Sequence, residues 1–318
     1  MDEAVYRFHC TRKKDGLIAC LDADSLCDKN YLRAIITHFK NNPSTPACSI
    51  YYEHPLNGND YSAEIYNGIL YYELHLRYYI QALRYAGYPN AFHTIGSSMA
   101  VRNTTYQKHG GMNKRKAGED FYFLHKIIPT GGFTEINNTR VIPSPRPSNR
   151  VPFGTGRAIE NWLKNSEQHF YTYSPKTFFD LQEFIIHTEE LFSCDWNIVK
   201  QELPFTLVSF FESHGITNKI AEINKNAATL QQKIKRFYNW LDGFMVLKFI
   251  HYCKDNFYDN IHVDRASQEL LIKIIPDSSI MTPSELLNIY RKLDRNSLLY
   301  IKRDKLPQSS PHSLTGSE

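Results

Sequence analysis

The segment that most restricts how this chain can fold is Gly16–Leu17–Ile18–Ala19–Cys20–Leu21–Asp22–Ala23–Asp24–Ser25–Leu26–Cys27–Asp28. Its apolar run, Leu17 to Leu21, reads as a buried strand of the kind that fills a parallel sheet. The run stops at two carboxylates spaced i, i+2. Open α/β sheets collect their ligands where strands end at the carboxyl side. Two acids on a short turn there can hold a hard divalent cation, which in turn grips phosphate oxygens. A solvated turn or a pair of helix N-cap acids would look the same, and Asp-x-Asp alone does not separate these readings.

Further along, strands and helices alternate. Asp28 reads as the N-cap of a helix over Lys29 to Asn41, with Leu32, Ile35, Ile36 and Phe39 on one face. Pro43 and Pro46 end it, and Ala47 to Tyr52 reads as a strand. A long amphipathic helix is expected from Ser62 to Ala86, stopped by Gly87 and Pro89. Ala91 to Arg102 reads as a strand broken at Gly96–Ser97–Ser98, and Gly110–Gly111–Met112 as a loop. Glu119–Asp120 opens a helix through Phe121 to Ile128, and Phe133 to Ile142 is the next strand. This alternation predicts an α/β layer fold.

After Ile142 the character changes. Residues 143–157 are rich in Pro, Gly and Arg, with Arg146, Arg150 and Arg157 around Phe153–Gly154–Thr155–Gly156. Beyond them the pattern is helical: Phe178–Leu191, Trp196–Gln201, Leu207–His214, one long helix over Lys219–Tyr258, and two shorter ones near 264–274 and 283–294. Three regions follow: an α/β domain over 1–157, a helical region over 158–302, and a disordered tail over 303–318.

Composition narrows the function classes. A net charge of +4 without a long Lys/Arg block gives no argument for nucleic acid. The six cysteines show neither zinc spacing nor a C-x-x-C pair and read as reduced thiols of a cytoplasmic protein. The most hydrophobic window, Phe244 to Tyr252, is interrupted by Lys248, so no transmembrane segment is expected, and a peripheral membrane association stays open. The 21 tyrosines and 19 phenylalanines suit a core with half-buried edges or a sugar-stacking surface, core packing being the commoner use.

Four elements in order carry a resemblance: Leu21–Asp22–Ala23–Asp24, the segment Gly96–Ser97–Ser98–Met99–Ala100–Val101–Arg102, Gly110–Gly111–Met112, and Gly118–Glu119–Asp120–Phe121–Tyr122. Together they resemble the inverting family 2 glycosyltransferases of the GT-A fold, over about residues 4 to 157. The resemblance implies a Rossmann-like mixed sheet with flanking helices, followed here by a mainly α-helical region. It implies that Asp22 and Asp24 bind Mg²⁺ or Mn²⁺ and the diphosphate of a UDP- or GDP-linked sugar. Asp120 would be the general base on the acceptor hydroxyl, with Glu119 orienting an acceptor that is a saccharide or a lipid-linked molecule. Arg150 and Arg157, with Arg146, lie where the family carries an arginine-containing donor motif, although the common Gln-x-x-Arg-Trp is missing. A structured linker with solvated charges reads equally well there.

His125, one turn after Asp120, is expected to pack or meet solvent, a third metal ligand being the alternative. The acids Glu119 and Asp120 would also suit a plain helix start, where they offset the dipole. The resemblance implies a nucleotide-binding strand–helix–strand portion ahead of Asp22, for which the 21 preceding residues leave no room. The expectation is therefore a truncated domain with an incomplete sheet edge beside Leu17–Leu21. Two other readings stand beside the transferase: a non-catalytic remnant whose helix over Lys219–Tyr258 binds a partner, and a phosphatase of the haloacid dehalogenase type.

Overall fold

A computed structural model describes residues 2–13, 15–113, 118–165, 169–276 and 278–296. The tail expected over 303–318 lies outside them, as does the end of the helical region from residue 297. In chain order the elements are α1 (Asp2–Cys10), β1 (Leu17–Cys20), β2 (Leu26–Cys27), α2 (Tyr31–Asn41), β3 (Ala47–Tyr52), α3 (Ala63–Ala86), β4 (Met99–Arg102), α4 (Asn103–Lys108), α5 (Glu119–Ile127) and β5 (Thr134–Ile142). They continue with α6 (Thr155–Lys164), β6 (Tyr171–Thr172), α7 (Pro175–Ile186), α8 (Trp196–Val199), α9 (Phe205–Ser213), α10 (Ile216–Asn226), α11 (Leu230–Trp240), α12 (Gly243–Asn256), β7 (Ile261–His262), α13 (Val263–Ile274) and α14 (Pro283–Asn296).

The five-stranded sheet runs β1-β4-β3-β5-β2. Pairing is antiparallel except between β3 and β5, where Cys48 faces Thr134 and Ile50 faces Ile136 in parallel. Period-two alternation gives each face its own core. Ile18, Ala47, Met99 and Val101 meet Phe123, Leu124 and Ile127 of α5, with Ala4, Val5 and Phe8 of α1 against them. On the opposite face Cys48, Ile50, Tyr52 and Ala100 meet Tyr31, Ile35 and Phe39 of α2.

The first strand departs from expectation. β1 is a short edge strand, antiparallel to β4, rather than a filler of a parallel sheet. Only Ile18 in it is buried, and Leu21 is exposed. The continuously buried strand in a parallel pair is instead β3, all six residues of which are inaccessible. β1 is the edge strand of the sheet, with no strand on its outer side among the described residues.

Local chemistry explains α3. The Ser62 side chain accepts from the Ile65 amide at its start, and Gly87, at φ +85°, ends it. On α2 the expected face is rotated. Tyr31, Ala34, Ile35 and Phe39 are buried, while Leu32 and Ile36 face solvent. Asp28 does not cap it: Asn30 holds that position, and the Asp28 carboxylate pairs with Arg140. The strand expected over 91–102 forms only at Met99–Arg102.

The single helix expected over Lys219–Tyr258 is three. Ala227 leaves the helical conformation, and a capping box of Thr229 and Gln232 starts α11. Asp242 then caps α12 by accepting from the Phe244 and Met245 amides. With α3, α7, α9, α13 and α14, these helices build the largest apolar cluster, including Leu74, Tyr78, Phe184, Phe211, Phe249 and Leu287. The result is an α/β, GT-A-type mixed sheet flanked by helices and followed by a helical region. No helix among the described residues is long and apolar enough to cross a membrane.

A buried ionic network ties the sheet to these helices. Arg77 is inaccessible and donates to Glu73, to Asp294 and to the Tyr52 carbonyl. Arg84, Gln81 and His93 also meet the Asp294 carboxylate, at 3.2, 2.5 and 3.0 Å. Arg291 of α14 donates to both Glu73 oxygens, at 2.7 and 2.8 Å. Burial would raise the pKa of each acid. The surrounding partners outweigh it: His93, Arg77 and Arg84 hold Asp294 below the ordinary carboxylate range, and Arg77, a hydrogen bond from His54 and Arg291 do the same for Glu73.

Candidate functional site

The site forms where β1 and β4 meet the start of α5. Past Cys20 the chain leaves the sheet through a turn closed by the Ser25 amide on the Asp22 carbonyl, 3.0 Å apart, which carries Asp22 and Asp24. β4 is antiparallel to β1, so Gly96–Ser97–Ser98, just before it, lies beside that turn. Gly118, at φ +73°, precedes α5, whose first two residues are Glu119 and Asp120.

Asp120 sits directly on Gly96. A Cβ at residue 96 would lie 2.3 Å from an Asp120 oxygen, so glycine alone permits this approach. The Phe121 amide donates to the Asp120 carboxylate at 2.7 Å, and the Gly96 amide bonds it as well. Burial raises the Asp120 pKa, the Phe121 amide opposes that, and the neighbouring Glu119 charge adds to the rise. The outcome is a carboxylate more basic than usual, anchored by backbone donors.

Asp22 also has a raised pKa, first through burial and then through the Asp24 charge. Arg150 works against the rise and Glu119 with it. These four side chains therefore share one electrostatic neighbourhood, although they come from three separate stretches of sequence. Cys20, pushed up to about 11 by burial, senses both Asp22 and Asp120 and so links the two acid pairs. Arg146 reaches Asp24 with a 3.0 Å ion pair between half-exposed side chains.

Arg157 goes elsewhere. It lies on α6, paired with Glu160 at 3.0 Å, and lines a separate pocket. Of the three arginines, Arg146 and Arg150 face the Asp-x-Asp turn. His125 is packed between Phe121 and Phe244, with Gly243 against its ring, and burial lowers its pKa to about 4.

Among the described residues no group of three or more His, Cys, Asp or Glu side chains could hold a metal ion. Asp22 and Asp24 stand as a pair of hard oxygen donors. That set suits Mg²⁺ or Mn²⁺ in a site completed by substrate phosphates and water, since Mg²⁺ is usually bound through one or two carboxylates plus phosphate oxygens.

Tyr72 was not legible as a site residue. On α3 it reads as one more core aromatic, yet its hydroxyl lies by the Thr155 side chain and senses the charge of Asp120. Its place depends on how α3 packs against α6, and no local pattern encodes that.

Among known protein families, the one described as Glycosyl transferase family group 2 matches residues 17–211, more than half of the chain. No curated protein and no solved structure matches it. The matched segment starts at the first residue of β1 and takes in both acid pairs and the arginine segment. The chain belongs to the group 2 family of glycosyl transferases and is a glycosyltransferase.

Proposed function

We propose that this glycosyltransferase moves a sugar from a UDP- or GDP-linked donor to an acceptor hydroxyl, with inversion at the anomeric carbon and with a divalent ion at Asp22 and Asp24. Mg²⁺ or Mn²⁺ bound there would supply Lewis-acid neutralisation of charge building on the leaving diphosphate. Arg150, beside Asp22, and Arg146, on Asp24, add guanidinium donors that can grip phosphate oxygens in bidentate fashion. The Arg146–Asp24 pair is exposed enough to rearrange at little cost.

Asp120 takes the proton of the acceptor hydroxyl as its oxygen bonds to the anomeric carbon and the bond from that carbon to the diphosphate breaks. The backbone bonds that anchor Asp120 hold it in line, which supplies positional acceleration. Glu119 orients the acceptor and keeps the base basic through its charge. The acceptor is a saccharide or a lipid-linked molecule, and the six free cysteines suit a cytoplasmic setting.

The observation carrying this reading is the convergence of Asp22, Asp24, Arg150 and Glu119, with Asp120 seated on Gly96 beside them. The test is turnover of UDP- and GDP-sugars with Mn²⁺, Mg²⁺ or chelator, for the chain and for Asp120→Asn. Metal-dependent turnover lost in Asp120→Asn supports it; turnover indifferent to both overturns it. The phosphatase alternative is set aside by the family assignment.

A further inference from the structure

A pocket of about 340 Å³ opens between α3, the segment ahead of α6, α6 itself and β6. Tyr72, Phe153, Arg157, Asn161, Trp162 and Tyr171 line it. Two observations connect it to the reacting end of the site. Tyr72 lies by Thr155 and senses the Asp120 charge. The Phe153 ring lies where it would meet a Cβ on Gly118 at 2.8 Å, so this wall touches the residue preceding Glu119–Asp120. Neither the Asp-x-Asp turn with Arg146 and Arg150 nor Glu119 and Asp120 line it, so the pocket adjoins the acid cluster through Phe153 and Tyr72.

The lining is preformed and of mixed character. Trp162 is buried, stacked on Tyr71 at 5.2 Å, with its indole N–H donating to the Glu64 carbonyl. Tyr171 is 48% exposed, and Phe153 54%, so both offer ring surface to a ligand. Tyr171 is backed by the His262 ring at 4.6 Å across the β6–β7 pair. Electron-rich aromatic faces attract the weakly positive C–H faces of a pyranose, and amide groups match its hydroxyls. An alkyl chain would strip water from the Asn161 amide and the Arg157 guanidinium without replacing it. Arg157 is held by Glu160, which also pairs with Lys164, so the guanidinium is fixed at the pocket wall as a donor. The volume falls at the small end of the roughly 300–1,000 Å³ usual for ligand sites.

We propose that this pocket is the acceptor subsite and takes a neutral saccharide, stacked on Phe153 and Tyr171 with one hydroxyl presented to Asp120. This rests on the transfer reading for the role of Asp120. The test measures binding apart from turnover, by saturation-transfer NMR on the full chain. The probes are methyl glycosides and disaccharides of glucose, galactose, mannose and N-acetylglucosamine. At least one should bind. Phe153→Ala and Tyr171→Ala should each weaken it about tenfold or more, and Phe153→Tyr and Tyr171→Phe should restore it. Melting curves show whether the alanine variants stay folded. No binding by any probe, or binding indifferent to both alanine changes in folded protein, overturns the subsite. Saccharide binding sensitive to Phe153 and Tyr171, in a chain that turns over no nucleotide-sugar, sustains the subsite and overturns the transfer reading.

Discussion

Two clusters of acids and arginines in this chain use the same chemistry to opposite ends. Around Asp294 and Glu73 the side chains are inaccessible: Arg77 is 0% exposed and Asp294 3%. Each carboxylate there meets several donors, and both pKa values are pushed down. Around Asp22 and Asp120 the carboxylates are less fully met and the pKa values move up. Arg146 and Asp24, at 59% and 45% exposure, can let go of one another. A satisfied buried network holds architecture, because opening it leaves charges without water. A cluster with unmatched negative charge at a strand end can still take up a cation or a proton. The difference lies in the number of donors per carboxylate and in access to solvent.

The largest effect expected from breaking this contrast is on the buried side. Asp294→Ala would strand Arg77, Arg84 and His93 and should destabilise the chain by about 3–5 kcal/mol, read from denaturant unfolding. Asp24→Ala should move the same curve by less than about 0.5 kcal/mol. Equal losses in the two variants would erase the distinction.

Next comes Asp120→Asn, which keeps size and hydrogen bonding but removes the proton acceptor. Transfer should fall by about 10² or more while melting temperature and donor affinity persist. Near-normal transfer would leave Asp120 a helix-start acid. Asp22→Ala and Asp24→Ala should then lose Mn²⁺-dependent donor binding in calorimetric titration without unfolding. Unchanged metal affinity in both would remove the pair as ligands.

The clusters should also separate by pH. Glu73 and Asp294 have folded-state pKa values below their unfolded ones. Their contribution to stability is therefore full above the unfolded values, near about 4, and is lost as pH falls through the depressed folded ones. Asp120 is raised, so its basic form, and with it turnover, should rise with pH through a value above that of an ordinary aspartate. Stability and turnover followed on one acid titration should show turnover failing first. The smallest effect is Arg146→Ala, expected to change stability by less than about 0.5 kcal/mol, because its ion pair is exposed.

Much of the fold was readable where the cause is local. Ser62 and Gly87 mark the ends of α3 within a residue, and Ala47–Tyr52 forms as expected, because caps and a β-prone run act through near neighbours. Thr229, Gln232 and Asp242 were equally local signals for breaking the long helix over 219–258. The apolar periodicity running across them masked these signals. On α2, the expected stripe of Leu32, Ile35, Ile36 and Phe39 shares two members with the buried one, Tyr31, Ala34, Ile35 and Phe39. The sheet's position chooses between them.

The sequence alone determined which acids stand at element ends: Asp22 and Asp24 after an apolar run, Glu119 and Asp120 after a glycine. The tertiary structure decided the rest. It made β1 an antiparallel edge strand, since its partner Met99–Arg102 lies far along the chain. It turned Arg146 toward Asp24, 122 positions away in sequence, while Arg157 of the same basic segment keeps a local i, i+3 partner in Glu160. It sealed Asp294 inside a ring of cations while leaving Asp22 near solvent. The physical reason is range. Caps, turns and helical faces follow from interactions within a few residues, whereas strand pairing, burial and the partners of a charge depend on what the folded chain brings from elsewhere.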